Sequence, residues 1–273
     1  SWSCFYEHRR EEKALIRALE AAERLEDCFV PELGALVYKM DTGLLKVPVD
    51  SLMNLPLLCW ADKRADEPSP YKEIIDRVLD FALETFLRGN GGVEHVIYYD
   101  PVTFRHLRKG APQGLVGGCW SRGLAWCHTG LVVAGLYTDR MECLERANRL
   151  YEFHRENTDT PIPPYDYASL DRDRANPHPD TSAGAILASG LCTRGILRQE
   201  SGSFQRAKAI VESLWNQFRR SNDREGIFGG GCFHAPDGVG VNSATVWGDY
   251  YGLEALYMLN RRKLPPHLQW LRN

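Results

Sequence analysis

The 273-residue chain has no excess of basic residues and no long apolar run. Its 33 Lys and Arg residues are outnumbered by 36 Asp and Glu residues, which gives a formal net charge of -3. This balance argues against nucleic acid as a partner, because neutralising a phosphate backbone requires an excess of positive charge. No stretch of the sequence approaches the roughly eighteen consecutive apolar residues of a membrane-spanning helix, so no contact with a membrane interior is expected.

The chain also lacks the sequence patterns of secretion and of zinc binding. The amino-terminal stretch SWSCFYEHRREEK has no apolar core of a signal peptide, which predicts a cytoplasmic location. It has no methionine either, so the natural start of the protein is expected to lie upstream. The eight cysteines form no CxxC pair, and several lie in apolar helical runs. We therefore expect reduced, mostly buried thiols and no metal site.

Two kinds of helix alternate along the chain. Low-charge segments rich in Gly and Ala begin near residues 51, 119, 181 and 244, and amphipathic segments such as EEKALIRALEAAERLEDCF lie between them. A helix that is apolar all round is buried, whereas a helix with a charged face lies outside. The pattern predicts one all-α domain over residues 1–273, an α/α toroid with four inner and four outer helices.

A closed toroid of this type has six helices in each ring, so the sequence predicts an incomplete barrel. A shorter helical solenoid fits the periodicity equally well. The best strand candidate is GVEHVIYYDP, which we interpret as a short hairpin in a loop rather than as part of a sheet.

Polar residues at the starts of the inner helices are the candidates for chemistry. Asp50 in VDSLMNLPLL is first of all a helix N-cap, and that interpretation is favoured on the residues alone. The alternative is a carboxylate at the inner rim of the barrel, where burial raises its pKa towards general-acid use.

The segment CWSRGLAW places Arg122 and Trp126 one helical turn apart, on the same face. A guanidinium beside an indole suits a sugar carboxylate and its ring. A cation–π pair that serves only packing explains the pattern equally well. Elsewhere, His95 is interpreted as a solvated loop residue, Asp166 as part of a surface loop although it could point inward, and Asp249 as a helix-end charge.

Taken together, the motifs resemble a known family. The strings DSLMNLPLLCWA, HV…YDPVT, QG…CWSRGLAW, PPYDY, DTSAGAILASGL and WGDYYGLEAL occur in the order found in unsaturated glucuronyl hydrolases, glycoside hydrolase family 88. The resemblance covers nearly the whole chain. It implies an (α/α)6 barrel and a substrate left by a polysaccharide lyase, with a 4,5-unsaturated uronic acid at its non-reducing end. The family hydrates the C4–C5 vinyl ether and needs no metal or organic cofactor.

By motif position, the resemblance implies that Asp50 is the general acid and base. It implies a substrate pocket formed by His95, Gln113, Trp120, Arg122 and Trp126. The chain departs from the family in three places. It contains no H-D-x-G-F motif, which carries a second essential aspartate, and Pro112 stands where the family has a histidine. The stretch LVGG (115–118) replaces the acidic residues often found just before CWSRG. The chain is therefore expected to lack the amino-terminal helices of the family, and a second copy could cover the open side.

Two other functions remain open at this stage. One is a non-catalytic carbohydrate-binding protein built on a degenerate barrel. The other is the sister activity, unsaturated rhamnogalacturonyl hydrolysis, which shares the fold.

Overall fold

The computed structural model describes residues 2–66, 68–168, 178–221 and 225–272. Helices dominate these ranges. They are α1 (Trp2–Arg9), α2 (Glu12–Glu26), α3 (Leu55–Asp62), α4 (Tyr71–Phe81), α5 (Ser121–Tyr137), α6 (Met141–Asn157), α7 (Thr181–Arg198), α8 (Ser201–Gln217) and α9 (Val246–Arg261). Two 3-10 segments cover Val49–Asn54 and Pro266–Arg272, and a π-helical turn, Ala82–Phe86, extends α4.

The inner layer consists of the segment formed by Val49–Asn54 and α3, followed by α5, α7 and α9, each packed against the next. Helices α5 and α7 are buried around nearly their whole circumference, as their low charge predicts. Glycine permits the close approach. A Cβ added at Gly130 of α5 would lie 2.8 Å from the backbone oxygen of Leu52, and one at Gly190 of α7 would lie 2.7 Å from Thr129 Oγ1.

The outer layer consists of α2, α4, α6 and α8, and each of them packs against an inner neighbour. In α2 the buried residues are Ala14, Ala18 and Ala22, which form one stripe at helical spacing. The predicted all-α fold with two layers of helices is confirmed. Helix α1, for which the sequence analysis made no prediction, packs against α2 and the Pro266–Arg272 segment.

A sheet corrects one prediction. Short strands β1 (Phe29–Val30) and β2 (Ala35–Leu36) pair with each other, and β3 (Tyr38–Lys39), β4 (Leu45–Pro48), β5 (Val96–Tyr99) and β6 (His106–Gly110) form a four-stranded antiparallel sheet in that order. The expectation that GVEHVIYYDP forms a hairpin rather than a sheet is therefore wrong. Strand β5 pairs with β6 and also with β4, a distant segment whose pairing no local pattern could show.

Two further expectations concern the state of the cysteines and the presence of membrane-spanning helices. All eight cysteines are free, and six of them are buried. Within the described ranges, no helix has the length and apolar character needed to cross a membrane. The Pro-rich loop that contains Asp166 is described only in part, because residues 169–177 lie outside the described residues.

Candidate active site

Asp50 lies in the 3-10 turn that directly follows β4. The interpretation of Asp50 as a helix N-cap is wrong, because Pro48 is the cap residue of the 3-10 segment, Asn54 is that of α3, and Asp50 lies within the first turn of the 3-10 segment. Its Oδ1 atom is buried and has no hydrogen-bond partner within the described residues. Burial raises the pKa of the Asp50 carboxyl to about 6, against the opposing charges of Arg122 and Lys46. The group can therefore hold a proton near neutral pH.

Arg122 lies in the first turn of α5 with only 3% of its side chain exposed. Its Nη1 donates to Asp180 Oδ2 at 2.7 Å and also to the carbonyl oxygen of Cys232, while Nη2 donates to the carbonyl oxygen of Phe233 at 2.8 Å. Asp180 in turn caps α7, since its Oδ1 accepts from the backbone nitrogen of Ser182 at 3.1 Å. The guanidinium therefore ties together two inner helices and a loop.

Aromatic rings lie on the guanidinium. Its Cζ atom is 4.6 Å from the ring centroid of Trp120 and 5.4 Å from that of Trp247. The ring of His95 stacks on Trp120 with centroids 4.3 Å apart and planes 31° apart. The cation–π contacts of Arg122 are therefore with Trp120 and Trp247 and not with Trp126, the partner that the helical spacing suggested.

His95 is buried, so its interpretation as a solvated loop residue is wrong. His95 directly precedes β5. Its carbonyl oxygen accepts a hydrogen bond from the backbone nitrogen of Val49 at 2.9 Å, and Val49 is the residue before Asp50. Burial and the positive charges of Lys46 and Arg122 lower the pKa of His95 to about 3, although a hydrogen bond with Gln113 opposes the shift. The imidazole is therefore neutral at physiological pH.

The two remaining predicted residues lie next to this group. Gln113 contacts His95 through its side chain, and its carbonyl oxygen accepts a hydrogen bond from the Tyr165 hydroxyl. Trp126 packs against the small cluster that contains Trp120, and its ring centroid lies 5.5 Å from that of Tyr251. The structure thus brings His95, Gln113 and Trp120 together around Asp50 and Arg122, with Trp126 at the edge of the group.

Unpaired polar atoms concentrate here. Within the described residues, six buried side-chain nitrogen or oxygen atoms have no hydrogen-bond partner. Four of the six surround Arg122, and they are Asp50 Oδ1, His95 Nδ1, Trp120 Nε1 and Trp247 Nε1. Buried polar groups are normally paired, so a cluster of exceptions indicates a place where a polar ligand completes the bonding. One acceptor, two indole donors and a neutral imidazole suit sugar hydroxyls.

Known proteins share this arrangement of helices. No protein-family model matches the chain. An unsaturated glucuronyl hydrolase of Bacillus sp. strain GL1 is 30% identical over 225 residues, which are 79% of this chain and 59% of that protein. The crystal structure of unsaturated glucuronyl hydrolase from Bacillus sp. GL1 matches with a TM-score of 0.87 and 29% identity, over 96% of this chain and 72% of that one. The chain belongs to the unsaturated glucuronyl hydrolase family.

A second solved structure of this family, a UGL variant with dGlcA-Glc-Rha-Glc, matches with a TM-score of 0.84 and 28% identity, again over 96% of this chain and 72% of that one. This member of the family spans 59% of the length of its curated relative from Bacillus sp. strain GL1.

Two residues that hold the candidate site in place carry no local signal of a site role. Asp180 was quoted within DTSAGAILASGL but given no role, although an Asp two residues before a Ser at a helix start is a capping pattern. Trp247, at the start of α9, was likewise given no site role, yet its indole lies on Arg122. Both residues come from distant parts of the chain, so only the fold shows that they meet.

Asp166 is fully buried, which makes its interpretation as a surface-loop residue wrong. Its carboxylate accepts from the backbone nitrogens of Leu115 at 2.8 Å and Cys119 at 3.0 Å. It therefore holds the loop between Gln113 and Trp120. The carboxylate of Asp249 likewise holds the loop that precedes α9. It accepts hydrogen bonds from the backbone nitrogens at positions 227 and 228, both at 2.9 Å.

Proposed function

We propose that this site hydrates the 4,5-unsaturated uronic acid at the non-reducing end of lyase-generated oligosaccharides, with Asp50 as general acid and then base. The observation that carries the proposal is the Asp50 carboxyl itself. Its pKa is raised to about 6, one of its oxygens is unpaired within the described residues, and it lies beside unpaired ring nitrogens. The solved UGL variant with dGlcA-Glc-Rha-Glc supports this class of substrate.

The proposed reaction uses one carboxyl group twice. Protonated Asp50 donates its proton to C4 of the unsaturated ring, which leaves positive charge on C5 and the ring oxygen. A water molecule adds to C5 while the Asp50 carboxylate accepts its proton, so the group is restored. The resulting hemiketal opens and releases the remainder of the oligosaccharide. A pKa near 6 suits both roles, because each protonation state is populated near neutral pH.

The other residues of the site bind and orient the sugar in this proposal. The hydrogen bonds described above use three of the five N–H donors of Arg122. In this proposal the other donors bind the uronate carboxylate. Its fixed positive charge also favours an anionic ring beside Asp50. Neutral His95 and the indole nitrogens of Trp120 and Trp247 bind ring hydroxyls, and the indole faces pack on the sugar ring.

The ultraviolet absorbance of the unsaturated uronate reports the reaction directly. We expect the protein to consume a lyase-derived disaccharide with loss of this absorbance. Asp50→Asn lowers the rate at least about 100-fold, because general acid–base catalysis typically contributes that much. Asp41→Asn, at an exposed position in the β3–β4 connection, is the matched control and keeps the activity.

Two other results would point elsewhere. Binding of the disaccharide without any consumption by the unchanged protein would contradict the proposal and favour a carbohydrate-binding protein. That alternative draws on the absence of an H-D-x-G-F motif from the sequence. Consumption of an unsaturated rhamnogalacturonan disaccharide alone would assign the sister activity instead.

A further inference from the structure

A row of aromatic and cationic side chains crosses the four-stranded sheet. In the register of the sheet, Tyr38 pairs with Lys46, Lys46 with Tyr98, and Tyr98 with Arg108. Directly paired residues on neighbouring strands point to the same face, so these four side chains lie side by side. The alternate positions on β4 and β5, which include Val47 and Ile97, are buried in the hydrophobic core. The row therefore lies on the face of the sheet that turns away from the core.

This row is continuous with the Asp50 site. Side chains alternate along β4, so Lys46 and Pro48 share the face, and Asp50 follows Pro48 by two residues. The Asn54 side chain, one turn beyond Asp50, donates to the Tyr38 hydroxyl at 3.2 Å. Lys46 is also near enough that its charge lowers the pKa of the Asp50 carboxyl. The sheet face and the site thus form one surface.

The cations of the row are not neutralised by ion pairs among the described residues. Within the described residues, neither Lys46 nor Arg108 forms an ion pair, and Arg108 lies 3.8 Å above the ring centroid of Tyr98. The neighbouring Lys109 points to the other face and pairs with Glu94 at 2.9 Å. Gly110 leaves room for the Tyr98 ring, because a Cβ added at Gly110 would lie 2.7 Å from that ring. Tyr98 is buried beneath Arg108 and supports its guanidinium, whereas Arg108 and Tyr38 are exposed. An exposed guanidinium held in place by an aromatic ring, with a second exposed aromatic ring in the same row, suits an anionic sugar.

The distances place the row beyond the first sugar that follows the cleaved bond. A strand rises about 3.3 Å per residue, so Lys46 lies roughly 10 Å along β4 from the start of the Asp50 turn. Arg108 is two strands further across the sheet, at about 4.8 Å per strand. A disaccharide that is bound with its unsaturated ring at Asp50 ends before Arg108, whereas a tetrasaccharide extends over the row.

We propose that Tyr38, Lys46, Tyr98 and Arg108 form a second subsite, which binds an anionic sugar downstream of the sugar next to the cleaved bond. The anionic group is a carboxylate or a sulfate ester, since both offer oxygen pairs to a guanidinium. This inference rests on the proposed function, because the direction of the chain over the row is set by the uronate at Asp50. It predicts a preference for longer fragments of anionic polysaccharides.

Binding to the Asp50→Asn protein separates this subsite from catalysis. Tryptophan fluorescence is followed while three lyase-derived glycosaminoglycan fragments are added: a disaccharide, an unsulfated tetrasaccharide and a sulfated tetrasaccharide. We expect the tetrasaccharides to bind about three- to fivefold more tightly than the disaccharide, the contribution of one exposed ion pair. In the Asp50→Asn protein, the second substitution Arg108→Gln removes the preference for tetrasaccharides and leaves the affinity for the disaccharide unchanged. Lys109→Gln, with the same loss of charge on the opposite face, retains the preference.

The outcomes distinguish the two proposals. Equal affinity for all three fragments, or an undiminished preference in Arg108→Gln, overturns the subsite while the disaccharide still reports the Asp50 site. Failure of every fragment to bind overturns the proposed function and the subsite together. A preference shown by both tetrasaccharides identifies the carboxylate as the bound group, and one shown only by the sulfated fragment identifies the sulfate.

Discussion

Arg122 and Asp180 form an ion pair of 2.7 Å in which the side chains are 3% and 0% exposed. The pair joins the starts of two inner helices, because Arg122 lies in the first turn of α5 and Asp180 caps α7. Arg122 also contacts the indoles of Trp120 and Trp247. The stability of the fold and the geometry of the candidate site therefore depend on the same two charges.

Removing one partner of this pair should be costly. Asp180→Ala leaves the Arg122 charge buried without its ion-pair partner and leaves α7 without its N-cap, so we expect the free energy of unfolding in urea to fall by about 3–5 kcal/mol. Asp180→Asn should cost less, because its amide oxygen can still accept from Ser182. The pair Arg17–Glu20 has the same 2.7 Å separation but is 53% and 45% exposed, so Arg17→Ala should change stability by less than about 1 kcal/mol. Equal effects at the two pairs would contradict this view.

The pH dependence of activity should follow the Asp50 carboxyl. The first step needs a protonated carboxyl, so kcat/KM should fall as the pH rises through about 6. Lys46 lowers the pKa of Asp50, and removal of its charge in Lys46→Gln should therefore move the midpoint of the profile to higher pH. Lys109→Gln should leave the midpoint in place. A midpoint that moves to lower pH in Lys46→Gln would show that Asp50 is not the titrating group.

The buried Asp50 carboxylate should lower the free energy of unfolding at neutral pH. Its pKa is raised from 3.8 to about 6 on folding, so the stability it contributes is complete below about pH 4 and is lost as the pH rises through 6. Asp50→Asn cannot ionise, and we expect it to be more stable than the unchanged protein by about 2 kcal/mol at pH 7. Thermal unfolding should show this gap closing on acidification. A gap independent of pH would indicate a packing effect instead.

The conformation of the loop between Gln113 and Trp120 should depend on Gly118, which lies against the Asp166 carboxylate. A Cβ added at Gly118 would lie 2.2 Å from Asp166 Oδ1, so Gly118→Ala must displace either the loop or the buried carboxylate. We expect the KM for the disaccharide to rise and stability to fall by about 1–3 kcal/mol. Gly89→Ala is the matched loop control, since no atom lies within 4 Å of its added Cβ. Unchanged kinetics in Gly118→Ala would show that this loop does not position the site.

By itself, the sequence determined the two helix layers, and it marked Asp50 and Arg122 as unusual positions. Charge on one face of α2, α4, α6 and α8 puts them outside, and the near absence of charge on α5 and α7 buries them, because desolvating a charge is costly. Asp50 and Arg122 could be singled out because each stands at the start of a low-charge helix, where a polar side chain is unusual.

Only the tertiary structure decided what those two residues contact. Asp180, 58 positions from Arg122, completes its ion pair, and Trp247 covers its guanidinium. The sheet depends on distance in the same way, since β4 pairs with β5 across the intervening helices α3 and α4. Local sequence patterns indicate the secondary-structure propensity of each element and the face that it buries. Ion pairs and strand partners arise from the packing of segments that are far apart in sequence, so the pattern of a single segment does not predict them.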